Sequence, residues 1–499
     1  MPEHYVKKER LVLSLSIIIQ SMNKICKKSL RHQTVYVILE HVTNGGGVMI
    51  NKLKFVLLSI FGFIFFLMPF TINGESKIAI SHIVSFVTGN FLDPFITFTA
   101  IIAGIVLIGT IVFMFYTSGN KFIDSVFKTS PLNIVLRVVG SFLYLMVINN
   151  WFAGNAFADM ILDGNTGGLM AGGGGLLTTL YITFFVGILA LPLLTHFGIV
   201  EFVGILLGPA VVKMFRVPGY STIDAIASFV GDGTIGIVVT DNQYQRGYYN
   251  RREAYIIATS FSIVGIAFAS AVAEELGFGG IFPIFYGTIA LVTVILALII
   301  ARMPLKKFTP TYYEGVKPVV VEIPENKSIF QHAYDSAIKQ ADSAKILDVI
   351  GESLKNIINI YVGFLPVIMA VGTLSLVIAE YTPFFNIISA PLVYLYTFIG
   401  YSREVASAMA PASLAGFADM YLPALFISGS ASEASRFFIG VLAFTQLVFM
   451  SETGMILVKT KIGLSFLDVV KVFLFRTLLS IPLLIIITNI LAAFGVISF

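Results

Sequence analysis

The side chains able to bind a polar or charged partner are few, and they stand in apolar surroundings. Asp232 lies between Gly231 and Gly233 in an otherwise apolar stretch. A carboxylate so placed either binds a cation or a solute hydroxyl at a helix break, or caps the half-helix that starts at Thr234. Asp241, Asn242 and Gln243 follow one another just before the basic Arg246, Arg251 and Arg252. They either cluster at a site or lie at a solvated interface. Arg403 and Glu404 either pair inside the fold or sit at its edge, and Asp419 stands mid-segment between Gly416 and Pro423. Gln446, Ser451, Glu452 and Thr453 close an apolar run, where Glu452 is either part of a site or interfacial. These groups hydrogen-bond and carry charge. They make no nucleophile–base pair, and no Ser/His, paired-Asp peptidase or zinc motif accompanies them, so an enzyme is not expected. His82, His196 and His332 have no ligand spacing, so no metal site is expected. Gly172 to Gly175 lead into no Gly-Lys-Ser/Thr, which rules out a phosphate-binding P-loop and leaves a flexible loop. The single Cys26 has no partner within the chain.

The elements that must position these residues are membrane helices. The chain is 57% hydrophobic and 12% charged over 499 residues, with mean hydropathy +0.90. Soluble domains carry about 25% charged residues. Residues 55–72, 95–117, 138–158, 176–195, 254–273, 281–301, 356–379, 437–451 and 477–499 contain no charged residue. A span takes roughly 20 apolar residues. These runs predict nine spans, of which 55–72 and 437–451 are short.

Residues 1–48 do not fit this pattern. They are basic, and the apolar stretch Leu11 to Ile19 is too short to span. Gly45-Gly46-Gly47-Val48 then precedes Met49, and glycine codons can supply a purine tract ahead of a start codon. The segment reads either as a translated leader before a start at Met49 or as a basic arm on the membrane surface.

Lysine and arginine gather in cytoplasmic loops. Lys52 and Lys54 place the start inside, and Lys121, Lys128 and Arg137 mark the next inner loop. Residues 73–94 and 151–175, poor in basic residues, fall outside. The long connection 302–355 carries eight Lys or Arg and must be cytoplasmic. Within it, residues 328–354 predict an amphipathic surface helix, with Ile338, Ile346, Leu347, Ile350 and Leu354 at helical spacing.

The chain also repeats itself at a separation near 180. Tyr181 and Phe184 match Tyr361 and Phe364, Pro209 matches Pro391, Gly219-Tyr220-Ser221 matches Gly400-Tyr401-Ser402, and Glu253-Ala254 matches Glu433-Ala434. In each copy the membrane pattern breaks: at Gly208-Pro209 and Gly231-Asp232-Gly233 in one, and at Pro391, Pro411 and Pro423 in the other. By the charge rule 176–195 runs out to in and 356–379 runs in to out, so the copies face opposite ways. Inverted repeats with broken helices at the midplane are a signature of secondary transporters. The fold expected is an all-α polytopic membrane protein with two inverted repeats that contain broken or re-entrant helices.

The stretch from Gly198 through Gly219-Tyr220-Ser221 to Gly231-Asp232-Gly233-Thr234-Ile235-Gly236 resembles the nucleoside-recognition, or Gate, domain, as does Arg403-Glu404 through Ala418-Asp419. From Met49 on, the chain is similar to the YjiH-like branch of Gate proteins, whose markers here are Thr240-Asp241-Asn242-Gln243-Tyr244 and Thr445-Gln446-Leu447. The resemblance implies a nucleoside-like solute and coupling to Na⁺ or H⁺, with no other cofactor. Without a GTPase motif, a GTP-coupled ferrous-iron transporter is excluded.

The expectation is a secondary transporter or permease for a small polar solute, in the inner membrane of a bacterium. A non-transporting Gate scaffold, as in spore maturation, is the rival. The partners expected are the bilayer and a small solute, with no nucleic acid; a homo-oligomer is compatible with the sequence. The expected parts are 1–48, the N-terminal helices 49–175, repeat one 176–301, the loop 302–355, repeat two 356–455, and 456–499 with an amphipathic segment and the last span. Charges in the broken regions are tolerable only if they share a cavity or pair. Asp232, Asp241, Asn242 and Gln243 are therefore expected to meet Arg403, Glu404 and Asp419 near the midplane.

Overall fold

The computed structural model describes residues 51–499 other than 73, 232, 263–264, 320–327, 428–431, 452 and 499. The readings made for residues 1–48 lie outside the described residues. The chain divides into two compact units, 1–53 and 54–499. Residues 51–53, the described part of the first unit, are helical. All that follows concerns the second.

Six helices among the described residues are long and apolar enough to cross a membrane: Ala79–Phe115, Pro131–Ile148, Gly167–Thr195, Gly279–Arg302, Ile346–Tyr381 and Phe466–Ala493. The molecule is a multi-pass membrane protein. Phe98, Ile101, Ile105, Ile108 and Val112 are exposed at helical spacing along Ala79–Phe115, the stripe that lipid would cover. Behind it Pro131–Ile148 packs on Leu365–Tyr381 so closely that a Cβ at Gly140 would lie 1.7 Å from the Pro366 carbonyl oxygen.

Several expected boundaries move. The run 55–72 is helical only as far as Leu67, through a π turn Lys54–Leu58 and then the helix Ser59–Leu67. It then turns into a two-stranded antiparallel hairpin, Pro69–Ile72 with Glu75–Ile78. The pair between the strands is Asn73-Gly74, a strong hairpin signal. The helix of the run 95–117 starts at Ala79 and bends at Phe91, ahead of Pro94. Residues 151–175 hold short helices, Ala156–Leu162 and Gly167–Ala171, in place of a flexible loop. Asn155 caps the first by accepting from Phe157 and Ala158. The surface helix of 328–354 is two helices, Ile329–Ser343 and Ile346–Asn359. The second continues through a π turn, Ile360–Phe364, into Leu365–Tyr381. Pro209 and Pro391 do not break their helices, which run over Ile199–Phe215 and Phe384–Ile399. A proline forfeits one backbone bond and bends the helix, and the turns on either side remain.

The runs 254–273 and 437–451 are the ones that break. Arg251–Ser260 and Ile266–Glu275 are separate helices, as are Glu433–Gln446 and Thr453–Lys459. The two repeats then agree helix for helix. Each has a spanning helix (Leu176–Ala190; Leu365–Tyr381), a proline-containing helix, a helical hairpin, a broken helix and a long return helix (Phe282–Arg302; Phe466–Ala493).

Two sets of contacts establish the inversion. Arg251, at the start of the first broken helix, donates from Nε to the Ile462 carbonyl at 2.8 Å. Glu433, at the start of the second, accepts from the Ser498 amide at 2.8 Å. Ile462 and Ser498 bracket the helix Phe466–Ala493, whose 28 residues span about 42 Å at 1.5 Å per residue. The half-helices Arg251–Ser260 and Glu433–Gln446 therefore enter from opposite ends and point at each other. Repeat-related residues also touch. The Tyr361 hydroxyl donates to the Tyr181 carbonyl at 2.6 Å, and the rings of Phe184 and Phe364 lie 6.1 Å apart. A residue can touch its own repeat mate only beside the axis that relates the repeats.

Candidate functional site

Each repeat contributes a hairpin that enters and leaves at one end. In the first, Ser221–Val230 and Gly233–Gln245 are joined at Gly231, whose φ and ψ of −93° and −97° are not helical. Its two feet meet: the Tyr220 hydroxyl donates to the Tyr248 carbonyl, and the Tyr249 hydroxyl donates to Asp224 Oδ2 at 2.5 Å. In the second, Arg403–Ala415 and Leu422–Ile427 flank a tip at 416–421. Its foot, Tyr401, packs 6.2 Å from Phe438 in the first turns of the second broken helix.

Each tip rests on its own repeat's helix break. In repeat one a Cβ at Gly236 would lie 2.2 Å from Ser228 Oγ and 3.6 Å from Ser262 Oγ. The Ser228 and Ser260 hydroxyls are buried without a hydrogen-bond partner among the described residues. In repeat two the tip backbone pairs with the break. Met450 N donates to the Phe417 carbonyl at 2.8 Å and Ser451 N to the Ala418 carbonyl at 3.0 Å. The break opens where Leu447 takes a φ of +66°. Thr453 holds it open, its Oγ1 donating to the Leu447 carbonyl at 3.0 Å and accepting from Phe449 N at 3.2 Å.

Asp419 and Gln446 come together here. Asp419 is 2% exposed, and its Oδ1 accepts from the Tyr421 amide at 2.8 Å. Gln446 is fully buried; its Nε2 donates to the Ser413 carbonyl at 2.8 Å and to Thr477 Oγ1 at 3.0 Å. Gly416 at the tip packs on the amide so tightly that a Cβ would lie 2.2 Å from Gln446 Oε1. That Oε1 and the Tyr421 hydroxyl are buried with no partner among the described residues. A buried polar atom without a partner costs about 1–3 kcal/mol, and Tyr421 at the tip and Gln446 at the break each carry one among the described residues.

The other candidates do not share this place. Asp241 sits at the foot of the first hairpin, accepting at Oδ1 from the Lys461 amide at 2.7 Å. Asn242 beside it is exposed, and Gln243 keeps a buried Oε1 with no partner among the described residues. Arg403 and Glu404 are exposed in the first turn of the second hairpin, behind the cap Ser402. The expected midplane meeting of Asp241, Asn242 and Gln243 with Arg403 and Glu404 is thus corrected. Asp241 is held at the end that carries Lys461, whereas Arg403 and Glu404 stand in the first turn of a hairpin that enters from the other end, so these groups are not brought together. Asp232 and Glu452 lie outside the described residues.

A group the charge pattern did not single out stands at the centre. Arg476 is fully buried in Phe466–Ala493. Its Nε donates to the Thr445 carbonyl at 2.7 Å and its Nη1 to the Thr259 carbonyl at 3.0 Å. Those carbonyls end the two opposed half-helices. Among the described residues, no three His, Cys, Asp or Glu side chains converge as metal ligands. The groups assembled are an amide, a phenol, a carboxyl, serine hydroxyls and a guanidinium, a set suited to hydrogen-bonding a polar solute.

The sequence pattern of the Gate family, described as nucleoside recognition, matches residues 177–279, most of the first repeat. An uncharacterized protein of Alkalihalophilus pseudofirmus is 37% identical over 442 residues, 87% of this chain and 94% of that protein. Among solved structures, a doubly substituted CNTnw in an outward-facing state aligns with 87% of this chain and 96% of its own, with a TM-score of 0.38 and 13% identity.

Proposed function

The chain belongs to one family with the Alkalihalophilus protein, a family of Gate-domain membrane proteins, and from that premise we propose a secondary transporter or permease for a small polar solute of nucleoside-like chemistry. The observation that carries this reading is two buried atoms at the second hairpin tip and break, Gln446 Oε1 and the Tyr421 hydroxyl, that have no partner among the described residues. A solute with ring nitrogens and hydroxyls would supply the missing partners. Asp419 would take a solute hydroxyl or a proton.

The inverted repeats suggest how such a solute would cross. The first hairpin opens towards the end that carries Arg251, Lys461 and Arg302, the second towards the end that carries Glu433 and Ser498. By the charge rule the first end faces the cytoplasm of a bacterium and the fold lies in its plasma membrane. Opening one hairpin at a time gives alternating access to a site between the tips.

Thermal unfolding in detergent across a panel of nucleosides and nucleobases tests the proposal. At 100 times its Kd a ligand stabilises the folded state by about 2.7 kcal/mol. At least one solute should raise the Tm saturably, and Gln446→Ala should abolish that rise. No shift with any solute would overturn the transporter reading and favour a scaffold.

A further inference from the structure

Arg476 is a full positive charge deep in a membrane protein, and no carboxylate pairs with it among the described residues. Its neutralising charge must come from elsewhere, and the hydrogen bonds say where. Thr259 and Thr445 lie in the last turns of Arg251–Ser260 and Glu433–Gln446, where carbonyls lack intrahelical partners. Each helix C-terminus acts as roughly half a negative charge. Two such ends facing each other sum to about one, which matches a single guanidinium. Two opposed C-termini without a cation would repel each other and leave their carbonyls unmet.

We infer that Arg476 is the resident cation of this fold: its side chain occupies the point where the two half-helix C-termini converge, so no sodium ion is required there. The charge balance also bears on solute class. Nη2 has no partner among the described residues, but with the charge already offset by two helix ends a neutral acceptor suffices for it, and an anion is not called for. For transport this consequence rests on the transporter reading; the assignment of Arg476 itself does not. The neighbouring residue contacts fit a fixed role. Gln446 Nε2 bonds Thr477, and Ser480 Oγ bonds Thr445 Oγ1 at 3.1 Å, so the long helix is clamped to the second break over the turn that follows Arg476.

The test adds no solute, so its failure is separate from failure of the transporter reading. Thermal unfolding of the full-length wild type and of Arg476→Ala is measured at equal ionic strength in sodium chloride, in N-methyl-D-glucamine chloride, and in the latter with guanidinium far below denaturing levels. Arg476→Ala should unfold several degrees lower than wild type in N-methyl-D-glucamine and regain part of that loss with sodium or guanidinium. A variant as stable as wild type without either cation, or one indifferent to both, would overturn the inference. If Arg476→Ala does not accumulate, Arg476→Lys and Arg476→Gln replace it. Lysine keeps the charge and should be the more stable of the two; the reverse order would overturn the inference equally.

Discussion

Gly416 and Gln446 show how little room the tip of the second hairpin has. The Cβ of an alanine at 416 would fall 2.2 Å from Gln446 Oε1. Overpacking of this kind costs about 1–3 kcal/mol. Gly416→Ala should therefore lower the Tm, or leave the tip lifted from the break. The glutamine end is the atom in the way, so Gln446→Ala should remove the clash even though it strands Ser413 and Thr477. In a double-mutant cycle read by thermal unfolding, the pair should cost less than the sum of the singles. Strict additivity would mean that the contact is not made. At this scale the sequence was legible where a charge or amide interrupted an apolar run, as at Asp419 and Gln446. Arg476 escaped because it sits one residue before the charge-free run 477–499 and reads as the edge of a span. Ser260 and Ser262 escaped because they carry no charge, so they left the run 254–273 intact on a count of charges.

The hairpins and broken helices work as pairs, and the second pair is fastened by backbone hydrogen bonds from Met450 to Phe417 and from Ser451 to Ala418. Such bonds are easily remade when a tip lifts, whereas a covalent link there is not. Cysteines at Ala418 and Ser451, in a Cys26→Ser background, lie on directly paired backbone and within the reach of a disulfide. Oxidation should join them, raise the Tm, and block uptake of whichever solute the panel identifies; reductant should restore uptake. Full uptake by the oxidised protein would show that this hairpin need not move. The hairpins were legible as elements because Gly231 and Gly416 with Pro423 punctuate apolar stretches. The breaks proper were not. Neither Phe261–Gly265 nor the turn at Leu447 contains a proline, and the groups met there are tertiary: Arg476 takes a carbonyl from each half-helix, and in the second repeat the hairpin's own tip takes the Met450 and Ser451 amides. Pro209 and Pro391, the louder local signals, mark helices that continue. Asn73-Gly74 was a legible turn that the hydropathy run obscured.

For the whole molecule, the contacts sort the charges into two groups at opposite ends of Phe466–Ala493. Arg251 reaches Ile462, and Lys307 pairs with Asp468, at one end. Lys77 pairs with Glu274, Arg436 donates to the Leu276 carbonyl, and Glu433 holds Ser498 at the other. The first end also carries the long basic connection 302–355, so the charge rule puts it in the cytoplasm. Inversion makes this one choice decide everything else: once the first hairpin opens inward, the second must open outward. Two exposed positions test it in a Cys26→Ser background. Asn165 lies between the short helices of the far end, and Glu314 lies in the basic connection. In intact cells Asn165→Cys should react with a membrane-impermeant maleimide, and Glu314→Cys should react only after the membrane is opened. The opposite pattern would reverse the orientation and exchange the roles of the two hairpins, while leaving their inverted relation, which rests on contacts within the protein, untouched. Labelling of both positions in intact cells would be incompatible with a fold whose two charged ends lie on opposite sides of one bilayer.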